Sequence, residues 1–147
     1  MGGSARTFLS VPEQEKIKKA IMNAENDSSG EIRVHIESEC HGDVLDRAAY
    51  LFKTLGMEKT ELRNGVLFYL AANSKKFAIL GDKGINKEVP EDFWTNIKVI
   101  MAERFKEGDY ATGLSEGIRE AGTKLKKHFP HHMEDIDELT DEISFGD

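Results

Sequence analysis

The stretch Val66-Leu67-Phe68-Tyr69-Leu70-Ala71-Ala72, read with Glu31-Ile32-Arg33-Val34-His35-Ile36-Glu37 before it and Phe77-Ala78-Ile79-Leu80 after it, decides the fold. The first run is nearly continuous in apolar residues, the pattern of a central strand covered on both faces. The second alternates, as in a half-buried strand with Ile32, Val34 and Ile36 facing inward. Asn73-Ser74-Lys75-Lys76 is a short polar turn, so residues 66–80 read as an antiparallel hairpin. Between the first two strands runs a helical stripe of Val44, Leu45, Ala48, Tyr50 to Phe52 and Leu55, capped by Asp43 and closed near Gly56. Strand, helix, strand predicts a right-handed crossover between parallel neighbours.

Outward from this unit, Ser10-Val11-Pro12-Glu13 has the hydroxyl, proline and Glu of a helix start, and the helix runs to about Glu25. Asn26-Asp27-Ser28-Ser29-Gly30 is a cluster of turn formers. Downstream, Pro90-Glu91-Asp92 opens a helix through Phe93, Trp94, Ile97, Ile100, Met101 and Phe105 that ends at Gly108. Asp109 caps the last helix, with Leu114, Ile118, Ala121, Leu125 and Phe129 on one face and Lys124, Lys126, Lys127 and His128 at its negative end. The class is α/β: a small mixed β-sheet sandwiched between helices.

A chain of 147 residues suits one domain, and Cys40, the only cysteine, excludes an internal disulfide or a Cys-built metal site. The formal charge of −7 is concentrated in residues 131–147, whose seven acids face no Lys or Arg, so the body is neutral. A neutral body beside an anionic tail argues against a nucleic-acid partner. We expect a flexible N-terminus over 1–9, a domain over 10–130 and an acidic disordered tail over 131–147. In that tail Ile136, Leu139 and Ile143 fall on one face of a helix that a partner would induce. No apolar run approaches the roughly 20 residues of a membrane span, and Met1-Gly2-Gly3-Ser4 lacks a secretory pattern. The expectation is a cytoplasmic, monomeric protein without membrane insertion, although Gly2-Gly3-Ser4 also reads as a cloning remnant in place of a native leader.

Parallel strands start at one edge, which puts Glu31 and Asn64 on a common rim, and the hairpin returns Asp82 to it. Glu91 and Asp92, at the N-terminus of the next helix, are downstream carboxylates placed to close the site from above. Carboxylates and an amide without Cys or His suit a hard cation, calcium first and magnesium or manganese as alternatives, with carbonyls of Gly81-Asp82-Lys83-Gly84 completing the shell. Each residue also has a plain reading: Glu31 a solvated edge residue, Asn64 and Asp82 turn formers, Glu91 and Asp92 favourable charges at a helix N-terminus. Cys40-His41 reads as a surface loop, since adjacent side chains rarely point at one another, and His131-His132 as polar residues after a helix end. Trp94, with Phe93 and Phe105, sits at core spacing. No GxSxG, HExxH, Walker or Rossmann signature occurs.

The segments Ser29-Gly30-Glu31-Ile32-Arg33-Val34, Arg63-Asn64-Gly65-Val66-Leu67-Phe68-Tyr69-Leu70, Gly81-Asp82-Lys83-Gly84-Ile85 and Phe105-Lys106-Glu107-Gly108-Asp109-Tyr110-Ala111-Thr112-Gly113-Leu114, in that order, resemble the TPM domain family in its stand-alone soluble bacterial form. The resemblance covers residues 8–128 and implies a helix-flanked mixed sheet with calcium bound at the rim. Glu31, Asn64, Asp82, Glu91 and Asp92 match or adjoin the family's motif positions. Relatives have been described as acid phosphatases, photosystem II repair factors and receptor modulators, so it leaves three functions open. These are a divalent-cation-binding regulatory module, a metal-dependent phosphatase of phosphate esters, and an interaction domain that takes a protein partner on its acidic tail. Arg63 stands where the family often has an acid, which should weaken the metal or shift ligation toward Asp82 and Glu91.

Overall fold

A computed structural model describes residues 5–130 and 141–146. Ser10 opens α2 (Val11–Asp27) with a complete capping box: its hydroxyl accepts from Glu13 N, and Glu13 accepts from Ser10 N. Then follow β1 (Glu31–Glu37), α3 (Val44–Thr54), β2 (Gly65–Ala71), β3 (Lys76–Gly81) and a one-turn α4 (Lys83–Asn86). Two long helices, α5 (Thr95–Lys106) and α6 (Tyr110–Leu125), complete the body. Strand order is β3-β2-β1-β4, β4 being the two residues Ser144–Phe145, with β1 parallel to β2 and β3 antiparallel to β2, so the parallel pairing and the hairpin stand as the sequence predicts.

One sheet face, carrying Ile32, Val34, Ile36, Val66, Phe68, Leu70 and Ile79, packs against Ile17 and Ile21 of α2, Ile97 and Met101 of α5 and Leu114 and Ile118 of α6. Helix α6 comes so close to α2 that a Cβ on Gly122 would lie 2.7 Å from Ala24 Cβ. The opposite face, carrying Leu67, Tyr69, Ala71 and Ala78, is covered by Ala48 and Leu51 of α3 with Met57 and Cys40. Strand β1 is therefore buried on both faces, Arg33 alone being half-buried, and is not the half-exposed strand its alternation predicts. Its polar positions Arg33, His35 and Glu37 face the second layer instead of water, in register with Leu67, Tyr69 and Ala71.

Both chain ends depart from expectation. Residues 5–8 form α1 (Ala5–Phe8), and Ala5 and Leu9 are buried in the core, so the flexible N-terminus does not extend over 5–9. Phe8 meets the edge of Tyr110 at 5.1 Å between ring centroids, an anchor that polarity counts along the sequence do not register. At the other end Ser144–Phe145 forms β4, parallel to β1. The disordered tail expected over 131–147 thus fails for 141–146, because Ile143 finds a buried place in the core. Residues 131–140, with His131, His132, Ile136 and Leu139, lie outside the described residues. No described helix is long and apolar enough to cross a membrane.

Candidate cation site at the leading rim of the sheet

Three loops meet where β1 and β2 begin. Glu31 and Gly65 are register partners, Glu31 N donates to Asn64 O at 3.0 Å, and Asp82 N donates to Gly65 O at 2.8 Å. Main-chain bonds alone therefore hold Glu31, Asn64 and Asp82 on one rim, and all three are buried. The turn that delivers Asn64 is unusual: Arg63 adopts a left-handed φ of 51°. Gly84 backs onto this turn, its N donating to Arg63 O at 2.9 Å, and a Cβ there would stand 2.2 Å from Leu62 O. Only glycine fits that approach.

The side chains are committed in a definite way. Arg63 grips Asp82 with two bonds, Nε to Oδ2 at 2.7 Å and Nη2 to Oδ1 at 2.9 Å, the bidentate fork that guanidinium makes with carboxylate. Asp82 also caps α4, Oδ1 accepting from Lys83 N at 2.7 Å. Asn64 N donates to Thr60 Oγ1, and Asn64 Nδ2 donates to Ser29 O at 2.5 Å. Because the Ser29 carbonyl is an acceptor, the amide orientation is fixed. Asn64 Oδ1 is left buried with no hydrogen-bond partner among the described residues. A buried acceptor without a donor is costly and calls for a cation or a proton donor.

Glu91 and Asp92 occupy a different position from the helix start expected of them. Residues 91–94 form a turn and α5 begins only at Thr95, with Trp94 at its cap and no side-chain capping bond. The turn packs beside the rim through Trp94, whose Cζ2 lies 3.1 Å from where a Cβ on Gly81 would be, while Glu91 and Asp92 are exposed. Gly81-Asp82-Lys83-Gly84, whose carbonyls are expected to complete a cation's shell, is the end of β3 and the start of α4. The expected shift of ligation toward Asp82 meets the Arg63 clamp, which holds both carboxylate oxygens. Among the described residues no three His, Cys, Asp or Glu side chains gather in a metal-holding group, so a cation here would rest on mixed oxygen donors.

A family model described as the TPM domain matches residues 5–124. The chain belongs to the TPM domain family. Its fold is shared with the NMR structure of BA42 protein from the psychrophilic bacterium Bizionia argentinensis, with 47% identity, 95% of this chain and 96% of that one covered, and a TM-score of 0.90. The N-terminal domain of a protein from P. gingivalis, 22% identical with a TM-score of 0.69, covers 86% of this chain and 83% of its own. That of the cg2496 protein from Corynebacterium glutamicum, 16% identical at 0.65, covers 84% of each. These two share the fold. No curated protein matches the chain.

The far end of the same strand in this TPM domain carries a polar cluster that sequence reasoning missed. Glu37 is buried and accepts from Tyr69 OH at 2.6 Å, from Arg47 Nε at 3.1 Å and from Arg47 Nη2. Burial pushes the Glu37 carboxyl up, but the hydrogen bonds from Arg47 and Tyr69 outweigh it and hold it below the ordinary value. His35 Nε2 lies 3.3 Å from Glu37 Oε1 and Nδ1 lies 2.6 Å from Ser144 Oγ. Beside an ionised Glu37, the Nε2 proton donates to the carboxylate, leaving Nδ1 to accept from the Ser144 hydroxyl. Burial lowers the His35 pKa, keeping the ring neutral, and burial then Glu37 raise that of Tyr69. The available signal was the spacing of His35 and Glu37, two apart and so on one strand face.

Proposed function

We propose that this TPM domain is a divalent-cation-binding module, with calcium as the first candidate and magnesium or manganese as alternatives, and that it acts by binding and not by turnover. The reading rests on one observation above the rest: Asn64 Oδ1, buried at the rim and turned away from Ser29 O, has no hydrogen-bond partner among the described residues. An acceptor so placed, on a residue whose main-chain carbonyl takes the Glu31 N–H and with Glu31 itself buried on the same rim, is what a hard cation requires. Asp82 would join the set when Arg63 releases it, because an aspartate gripped at both oxygens has little left to offer an ion. Glu91 and Asp92 stay outside this inner set. The ion would supply positive charge to a rim whose own compensating charge is now the Arg63 guanidinium, so binding and the Arg63–Asp82 pair compete.

Calcium titration of the 15N-labelled full chain tests the reading. Saturable shifts are expected at the amides of Gly30, Glu31, Asn64, Gly65 and Asp82, with the larger changes on the rim. Unmoved rim amides at millimolar calcium, with the same silence for magnesium and manganese, would remove it.

A further inference from the structure

The seat of β4 is specific in five places although its ladder is short. Glu142 reaches Lys18 at 3.5 Å, and Ile143 enters the core. Ser144 stands opposite His35 in register and bonds its ring. Phe145 stands opposite Ile36 with its ring centroid 5.2 Å from the Arg6 guanidinium, at cation–π distance. Gly146 N donates to Ile36 O at 2.9 Å, and a Cβ on Gly146 would lie 2.6 Å from Glu37 Cγ, so a side chain here would have to displace Glu37. An acid, a branched aliphatic, a hydroxyl, an aromatic ring and a glycine are thus each met by a matching partner, which is how a sheet edge reads an added strand.

Holding is a separate matter from reading. Among the described residues β4 has two residues and one neighbour, so its ladder itself holds it by few main-chain bonds and the rest of the hold falls to its side chains. Higher up the same edge the main chain is screened by the protein body, Ile32 N donating to Glu25 Oε2 at 3.1 Å, so the open part of the edge is the part the tail uses. Pro130 bridges Ser28, and the fourteen residues from 131 to 144 can span about 46–50 Å, against roughly 23 Å for the rise of the strand from Ser28 to His35.

We propose that the outer edge of β1 is a peptide-recognition groove, that residues 142–146 are its resident and displaceable occupant, and that it takes in trans an extended peptide of the same chemistry, acid–aliphatic–hydroxyl–aromatic–glycine, as a parallel strand. The tethered tail competes at high local concentration and sets the threshold an incoming peptide must exceed. The groove lies at the opposite end of β1 from the Glu31 rim and does not depend on the cation reading.

The test uses a fluorescent peptide of residues 141–147 and the full-length chain, read by polarisation. Full-length Ile143→Ala/Phe145→Ala, with its tail unseated, should bind the peptide with an apparent Kd on the order of tenfold or more below that of the wild type, whose groove is occupied. A peptide with alanine at the Ser144 and Phe145 positions should lose this binding. Since Ile143 is a core residue, Gly146→Val is the second unseated chain, because it keeps Ile143 and collides with Glu37. Should neither variant fold, excess unlabelled peptide added to 15N-labelled wild type must shift the Ser144 and Gly146 amides. Equal affinity for wild-type and unseated chains, no binding by a folded unseated chain, or unmoved tail amides at millimolar peptide would overturn the proposal.

Discussion

Arg63 closes both carboxylate oxygens of Asp82, with Nε–Oδ2 at 2.7 Å and Nη2–Oδ1 at 2.9 Å, from a residue whose own backbone is left-handed. The rim therefore carries a built-in cation, and any divalent ion must work against it. Arg63→Gln removes the charge and frees Asp82. Calcium affinity measured by calorimetry should rise on the order of tenfold, the scale of one nearby charge acting on a divalent ion in a wet site. Unchanged or weaker binding would mean that the ion does not use Asp82.

Gly84 ties the second loop to the same turn. An alanine there would put Cβ 2.2 Å from Leu62 O and 2.5 Å from Arg63 O, both main-chain atoms that cannot swing away. Gly84→Ala should lower stability by about 1–3 kcal/mol, the usual cost of forcing extra volume into a packed site. Thermal unfolding gives the size of the effect. The rim amides of Arg63, Asn64 and Asp82 should shift more than those of α6, because the clash is local.

How much of this was legible follows the range of the physics. The capping box at Ser10 and Glu13, the Asp43 and Asp109 caps and the unbroken apolar run of β2 are local signals, and each stands in the structure. The common rim of Glu31, Asn64 and Asp82 followed from crossover topology, which needs only strand order. What failed depends on contacts distant in sequence. Ser144 is 109 residues from His35, and composition near residue 144 says only that the segment is acidic and poor in apolar side chains. Arg63 was visible as a charge, but its grip on Asp82 required knowing that a left-handed turn aims it there.

The buried cluster at the far end of β1 should make the fold acid-sensitive in two stages. Burial lowers the His35 pKa below its ordinary 6.5, so the unfolded chain takes up a proton first and stability declines as pH falls from that value toward the folded one. Glu37 is held below its ordinary 4.5 despite burial, by Arg47 and Tyr69, so its contribution is whole above about that pH and is lost as pH falls through the folded value. Urea midpoints across pH should show the first decline reduced in His35→Gln and the second in Glu37→Gln. Curves that stay parallel to wild type would deny the cluster this role.

Asn64 separates the metal from the scaffold. Its Nδ2 donates to Ser29 O while Oδ1 has no partner among the described residues, so the two ends of one amide differ in role. Asn64→Asp turns the donor into a second anionic oxygen facing a carbonyl. Without calcium the variant should lose about 1–3 kcal/mol, the cost of a broken buried hydrogen bond together with a poorly compensated charge. With calcium the order changes, because an ion that binds only the folded state stabilises by about 2.7 kcal/mol at a hundredfold excess over Kd, and an added carboxylate lowers that Kd. Melting temperatures with calcium and with chelator should therefore differ more for Asn64→Asp than for wild type. An equal loss in both conditions would make Asn64 a hinge of the turn and nothing more.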